Sequence, residues 1–253
     1  MSVDREPRGA ILLVAGGVVV LLVAGSLLVV AAVSGLLPGT ADCEVEVGDR
    51  TVELSTAEAE IAATVSASGV RQGLGLTATA AAVAEAADLP DADAEVVASA
   101  LTGRAHHALA CTHGGGGDEE ADGLGASGLT ARAERVRRDL DEAFGRQPVG
   151  GFAPGGVRTG HMPGSAHYEG RAVDVFVRPI SPRNKTKGWA MAQYLVANAD
   201  RLDVETVIFD ARIWTVRRAG QGWRDYAPDT SGRSRSVARI LEHRDHVHVD
   251  VTD

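Results

Sequence analysis

The feature that most constrains this chain is an apolar run near its N-terminus. Residues 10–33 contain no charged side chain. A helix of about 20 apolar residues spans the hydrocarbon core of a bilayer, so the run predicts a transmembrane helix over residues 10–34. A cleaved signal peptide is the alternative, but the apolar region of a signal peptide normally has only about 7–15 residues.

The charges on either side of the run predict its orientation. Arg5 and Arg8 precede it, and the first charged residues after it are the acidic Asp42, Glu44 and Glu46. Because cytoplasmic flanks carry an excess of Lys and Arg, we expect residues 1–9 in the cytoplasm and the chain after Leu37 outside. The sequence thus predicts a single-pass protein of the cell membrane with an extracellular C-terminal domain.

The cysteines agree with that location. Cys43 and Cys111 are the two cysteines of the chain, and both follow the apolar run. Disulfides form and persist outside the cytoplasm, so we expect Cys43 and Cys111 to be bonded to each other. Two unpaired buried thiols are the alternative.

The overall charge argues against one class of partner. The formal net charge is −9, whereas binding to nucleic acid depends on clustered cations. We therefore expect no nucleic-acid partner. The apolar run instead predicts that the protein associates with a membrane.

Residues 35–112 predict a small, mainly helical extracytoplasmic segment. Its first part alternates valines with acidic residues, which favours a short hairpin around Gly48. A capping-box pattern then begins a helix over residues 55–68, and further helices are predicted over 76–88 and 93–110. We assign no chemistry to this segment.

Residues 113–127 predict a linker. They contain runs of glycine and acidic side chains, which give flexibility and solvation and offer little apolar surface to bury. A second domain is therefore predicted over residues 128–253, beginning with a helix near Thr130. Within it, the glycine- and proline-rich stretch 145–166 predicts a long shaped loop. A loop of this length inside a compact domain usually has a function.

Two strands of this second domain carry polar side chains on one face only. From residue 172, Val173, Val175 and Val177 alternate with a set that includes Asp174, and residues 246–251 repeat the pattern with His246 and His248. A helix over 187–199 would cover the valines. Strands interleaved with few helices predict an α+β fold with a largely antiparallel sheet.

The polar face of these strands predicts a metal site. His167, Asp174 and His248 (or His246) offer imidazole and carboxylate ligands of the kind that zinc prefers, and three protein ligands leave one position for water. His161, in the preceding loop, either lines the same cleft or is an ordinary loop histidine. Ser165 is expected to orient the turn before His167 rather than to attack substrate.

At this point the motifs resemble a known family. The string S-x-H-x-x-G-x-A-x-D over residues 165–174, followed by H-x-H over 246–248, is similar to the signature of the LAS metallopeptidases. That group includes D-alanyl-D-alanine carboxypeptidases, lysostaphin-type endopeptidases and hedgehog domains, and the similarity is to its peptidase M15-like branch. It covers roughly residues 128–253; residues 1–127 carry no comparable similarity.

The resemblance implies a ligand set and an activity. It implies Zn²⁺ held by His167, Asp174 and His248, with either His246 or Asp245 as the general base. Strand alternation favours His246, because Asp245 would face away from the metal, although a β-bulge would reverse that.

The resemblance also assigns a substrate-binding arginine and a substrate class. Arg158 resembles the arginine that family members use to hold a substrate carboxylate or an oxyanion. The expected activity is hydrolysis of peptidoglycan peptides by a membrane-anchored carboxypeptidase or endopeptidase. A non-catalytic zinc-containing binding module is the alternative, and an envelope scaffold acting through residues 44–112 is a third hypothesis.

Overall fold

A computed structural model describes residues 42–115 and 123–253 of the chain. These residues belong to one compact unit, Ala41–Asp253. The predicted transmembrane span and residues 116–122 of the predicted linker lie outside the described residues. Within the described ranges, no helix is both long enough and apolar enough to cross a membrane.

The helices and strands are β1 (Cys43–Val47), β2 (Arg50–Leu54), α1 (Thr56–Gln72), α2 (Leu76–Ala87), α3 (Asp91–Leu101), β3 (Leu109–Cys111), α4 (Ala131–Phe144), β4 (Val149–Gly150), β5 (Ala172–Phe176), α5 (Pro182–Ala197), β6 (Val204–Phe209), β7 (Arg212–Thr215), β8 (Arg224–Asp225), α6 (Arg235–Leu241) and β9 (His246–Val251).

The first sheet has three antiparallel strands in the order β2-β1-β3. The predicted hairpin is present, and Gly48 in its turn has a φ of 66°. Cys43 and Cys111 lie opposite each other in the β1–β3 register and form the predicted disulfide. The bond therefore connects the start of this region to its end.

Three helices follow the hairpin. The capping box at the start of α1 is present, since the Ser55 and Glu58 side chains each accept a hydrogen bond from the other's backbone N–H. The predicted helix over 93–110 is wrong in its second half. The helix ends at Leu101, and the chain then turns at Gly103, whose φ is 74°. A Cβ at that glycine would lie 1.9 Å from the backbone oxygen of Thr186 in α5, so close packing ends the helix there.

The second sheet is antiparallel, with the order β4-β5-β9-β6-β7-β8. The long strands β5 and β9 are neighbours, and Asp174 lies directly opposite His248. The valines of both strands are buried on the face against which α5 packs, as predicted. The α+β class with antiparallel sheets and flanking helices is therefore confirmed, and the sheet presents its ionisable residues on the opposite face.

One buried side chain connects α5 to the segment that leads into the first sheet. The amide of Gln193, on α5, is fully buried. Its oxygen accepts hydrogen bonds from the backbone N–H groups of Ala108 and Leu109, both at 2.8 Å, and its nitrogen donates to the backbone oxygen of Ala100 at 2.6 Å. This satisfies the backbone of the segment between α3 and β3, which would otherwise be buried without partners.

Candidate metal centre

Three of the predicted ligands converge on one point between β5 and β9. The separations are 3.2 Å from His167 Nε2 to Asp174 Oδ1, 3.0 Å from His248 Nδ1 to Asp174 Oδ1, and 3.1 Å between the two nitrogens. Ligand atoms at about 2.0–2.2 Å from a tetrahedral zinc would lie about 3.3 Å apart. The triangle therefore has nearly the dimensions that a metal ion requires.

The residues around His167 explain the spacing of the motif. A short 3-10 turn, Ala166–Glu169, carries His167; the Ser165 side chain caps its start and Gly170, with a φ of 70°, ends it. Ser165 Oγ accepts a hydrogen bond from the backbone N–H of His167, which is the orienting role predicted for it. The turn thus delivers His167 to the start of β5, where Asp174 follows.

A glycine opposite the turn makes room for the imidazole. A Cβ at Gly151 would lie 2.2 Å from Cε1 and 2.5 Å from Nδ1 of His167. That Nδ1 is buried, and no other described residue offers it a hydrogen-bond partner. His167 is therefore held by packing, with Nε2 directed to the other ligands.

His161 joins the cluster from the loop that precedes the turn. Its ring stacks on His167 with centroids 4.0 Å apart, and one ligand atom each of His161, His167 and Asp174 lies within 4.8 Å of the other two. These three residues could hold a metal ion. Burial lowers the pKa of His161, followed in effect by the charge of nearby His167, and both effects favour the neutral imidazole. Of the two interpretations of His161, the structure favours the one in which it lines the cleft.

A carboxylate lies behind His248. Asp250 Oδ1 is 2.6 Å from His248 Nε2, on the far side of the ring from Asp174. Burial by itself would lower the pKa of His248, but the charges of Asp250 and Asp174 outweigh it and raise the pKa to about 10. Metal-ligating histidines usually contact a carboxylate or carbonyl in this way, which fixes the ring.

The pKa of Asp174 is shifted in the opposite direction. Burial by itself would raise it, but hydrogen bonds from His167 and His248 outweigh that effect and hold the pKa well below its usual range. Asp174 is therefore ionised at any physiological pH. An anionic oxygen between two imidazole nitrogens is a donor set that suits a divalent cation.

His246 stands beside the triangle with its own orienting groups. Its Nδ1 is 2.8 Å from Asp245 Oδ1, and its Nε2 is 3.7 Å from Asp174 Oδ1. Arg178 Nε donates to the other oxygen of Asp245 at 2.7 Å. Because an ionised carboxylate only accepts hydrogen bonds, Nδ1 carries the proton and Nε2, facing the cluster, is the basic atom.

Asp245 has a different environment from Asp174. Burial would raise its pKa, but hydrogen bonds from His246 and Arg178 outweigh burial and lower it. Both of its oxygens are thus engaged away from the ligand triangle, as strand alternation predicts for this residue. Asp245 orients His246 in this arrangement.

A fifth histidine packs against this group. The centroid of the His243 ring is 4.6 Å from that of His246 and 5.4 Å from that of His248, and its Nδ1 donates to the backbone oxygen of Leu241. Burial lowers its pKa to about 3, with the charges of His248 and His246 as further causes. The His243 imidazole is therefore uncharged at neutral pH and packs against the rings of His246 and His248.

Arg158 is the predicted site residue that makes no hydrogen bond or ion pair with the cluster in the described part of the chain. It lies exposed on the loop before His161, and its guanidinium contacts no other described residue through a hydrogen bond or ion pair. Its role as a substrate-binding group stays a prediction.

Sequence reasoning assigned no role to three residues that contact the site. Asp250 was recognisable, since it follows His246 and His248 on the same face of the strand. Arg178 and His243 gave no signal, because the contacts that bring them to Asp245 and His246 depend on how the chain folds beyond β5 and α6.

Comparison with known proteins places part of this region in context. Residues 125–237 match the family model described as VldE, C-terminal domain. The match includes His161, His167 and Asp174 and ends before His246 and His248. Neither the curated proteins nor the solved structures contain a match to the chain. The resemblance to LAS metallopeptidases stays a prediction.

Proposed function

We propose that this protein is a zinc-dependent peptidase, anchored by its N-terminal apolar run, that hydrolyses peptide bonds of peptidoglycan outside the membrane. The observation that carries the proposal is the convergence of His167 Nε2, Asp174 Oδ1 and His248 Nδ1 within 3.0–3.2 Å of one another, beside an independently oriented imidazole. The substrate class and the membrane location come from the sequence resemblance and the apolar run.

The donor set supports zinc as the metal. Two imidazoles and one carboxylate are a common protein ligand set of catalytic zinc, with a fourth position for water. Zinc bound there would act as a Lewis acid on the scissile carbonyl and lower the pKa of its water to about 7. His167, Asp174 and His248 would hold it, and Asp250 would fix the orientation of the His248 ring.

We assign the general base to His246. Its Nε2 faces the ligand triangle, and in the neutral imidazole this is the nitrogen without a proton, because Nδ1 donates to Asp245. It would take a proton from the attacking water and deliver it to the leaving amine, a step that commonly contributes about 10²–10⁴-fold to the rate. Asp245 is then a positioning residue, and Arg178 holds it in place from outside the cluster.

Arg158 is the proposed anchor for substrate. A guanidinium binds a carboxylate through two parallel hydrogen bonds, and this one is exposed and engaged with no other described residue. We therefore propose that Arg158 binds a carboxylate of the wall peptide or the developing oxyanion.

One observation favours a second candidate function. Structural zinc sites are closed by four protein ligands, and His161 is close enough to His167 and Asp174 to offer a fourth. A domain closed in that way would be a non-catalytic zinc-containing module that binds envelope components.

The test compares zinc content with hydrolysis in the full chain in detergent. We expect His246→Ala to keep stoichiometric zinc and to lose about 10²–10⁴-fold in the rate of muropeptide cleavage. Asp245→Asn should also keep zinc and lose less activity, with its pH–rate profile displaced because His246 is no longer paired with an anion. Asp229→Asn, at an exposed turn before α6 where the carboxylate accepts only a local hydrogen bond from the Ser231 backbone, is the matched control and should behave as wild type.

Two outcomes would contradict the proposal. Stoichiometric zinc with no cleavage of any wall peptide by the wild type would favour the binding module. Absence of zinc from the wild type would reject both functions.

A further inference from the structure

The position of His161 next to the ligand triangle is not explained by the proposed peptidase chemistry. Its ring stacks on His167 with an interplanar angle of 25°, so the two imidazoles lie side by side at one edge of the site. Its nearest ligand atom lies within 4.8 Å of the ligand atoms of His167 and Asp174. Ligand atoms around a tetrahedral zinc are about 3.3 Å apart, so these separations need to shorten by no more than about 1.5 Å for this imidazole to coordinate.

Tyr168, the residue after the proposed ligand His167, fixes the backbone of His161. The Tyr168 hydroxyl accepts a hydrogen bond from the backbone N–H of His161 at 3.0 Å and donates one to the backbone oxygen of the same residue at 2.6 Å. Tyr168 belongs to the turn that presents His167. The loop and the ligand are therefore clamped to each other through one phenol.

The loop that carries His161 has features that would let it move away from the ligand triangle. Gly160 and Gly164 flank the segment with positive φ values of 95° and 76°, and the intervening Met162 has 70% of its surface exposed. His161 itself is partly exposed, whereas His167 and His248 are buried. No described carboxylate contacts the ring of His161, in contrast to His248 with Asp250.

We propose that His161 is a displaceable fourth metal ligand, so that the loop around residues 160–164 closes the coordination position needed for catalysis until substrate displaces it. The inference rests on the proposed metal site. His167, Asp174 and His248 are the permanent ligands, since they are buried on two paired strands or on the turn that enters one of them. His161 is the exchangeable one, since it is partly exposed and comes from a glycine-flanked loop.

This arrangement reconciles the two candidate functions. With His161 coordinated the site has the four protein ligands of a structural centre, and with His161 displaced it has the three of a catalytic centre. A peptide that enters the cleft must therefore break the His161 contact before its carbonyl reaches the metal. A ligand that needs the open position binds only the molecules in which His161 is displaced. Its apparent dissociation constant is therefore the intrinsic one divided by the fraction of open molecules.

The test measures metal coordination without measuring hydrolysis. The full chain is loaded with Co²⁺ in place of zinc, its visible absorption bands are recorded, and sodium azide is titrated as a small ligand that needs one open position. In wild type we expect bands of a four-coordinate ion and weak azide binding. In His161→Ala, azide should bind about tenfold more tightly, as expected if about nine molecules in ten are closed.

Two further variants separate the ligand from the clamp. Tyr168→Phe keeps the imidazole but removes both hydrogen bonds to the His161 backbone, so azide affinity should increase by a smaller factor than in His161→Ala. Met162→Ala, at the exposed neighbour of His161, is the matched control and should give wild-type bands and affinity. Zinc affinity, measured by competition with a chelator, should fall about tenfold in His161→Ala, in the range found when groups that support a metal site are lost.

The possible outcomes distinguish this inference from the proposed function. Equal azide affinity and equal cobalt bands in wild type and His161→Ala would overturn the inference while leaving the three-ligand metal site in place. Azide that binds His161→Ala but not wild type at any concentration would overturn it as well, because the fourth ligand would then be permanent and the site structural. Failure of the wild type to bind cobalt or zinc would reject the proposed function itself.

Discussion

The two parts of the described chain, residues 42–115 and 123–253, bury polar side chains in different ways. In the first part, Thr79 and Thr102 donate to backbone oxygens one turn earlier in their own helices. In the second part, the buried polar residues include ionisable ones from different elements of the chain, and most of these contact each other: Arg132, His167, Asp174, Asp245, His246 and His248.

The difference supports the proposal that the chemical role belongs to the second part of the molecule. Burying an ionisable group costs far more free energy than burying a hydroxyl that bonds to its own helix. Such groups persist together mainly where their interactions serve a function. Under the proposed function, the first part contributes stability, and the face of β5 and β9 in the second part contributes chemistry.

Removing the disulfide is the strongest test of that division. Cys43→Ala combined with Cys111→Ala opens a loop whose ends are 68 residues apart. We expect the free energy of unfolding in urea to fall by about 4 kcal/mol, because the unfolded chain gains conformational entropy. Below the unfolding transition, zinc affinity should be unchanged. A loss of zinc binding in the folded double variant would show that the first part also shapes the site.

Zinc should stabilise the folded protein through the second part. At a free zinc concentration about 100 times the dissociation constant, the gain in the free energy of unfolding is about 2.7 kcal/mol. Chelation should reverse it. Asp174→Asn removes the anionic ligand and should abolish the gain, whereas Asp93→Asn, at a surface ion pair with Arg50, should retain it. A zinc-dependent gain that survives in Asp174→Asn would place the metal elsewhere.

Asp250→Asn tests the support behind a ligand and should have the smallest effect of the three. The residue contacts His248 on the side away from the metal. Loss of a carboxylate in this position typically weakens metal binding by about 10–100-fold, or about 1.4–2.7 kcal/mol. Glu205→Gln is the control, since Glu205 is an acid on the neighbouring strand β6 that pairs with Arg171 and Arg217. Equal zinc affinity in the two variants would contradict the role given to Asp250.

Much of the second sheet was predictable from local patterns. The alternation of valines with polar residues in β5 and β9 depends only on the two-residue period of a strand, so both faces could be assigned in advance. The capping box of Ser55 and Glu58 and the hairpin turn at Gly48 were likewise encoded by a few neighbouring residues. The helix over 93–110 was wrong because its end depends on the approach of α5 to Gly103, which no local pattern records.

The candidate site divides in the same way. Ser165, Gly170 and the spacing from His167 to Asp174 are local, since one 3-10 turn and one strand contain them. The choice between Asp245 and His246 needed the side-chain partners. Asp245 pairs with Arg178, which lies 67 positions earlier in the chain, and that contact turns its carboxylate away from the ligands.

The sequence alone determined that Asp174, His246 and His248 lie on the polar faces of their strands, because strand geometry fixes alternate side chains on opposite sides. Only the tertiary structure decided that Asp174 and His248 stand directly opposite each other and that His161 joins them from a loop. The reason is physical. A strand's faces are set by its own residues, whereas register and loop placement depend on contacts between residues that are distant in the chain.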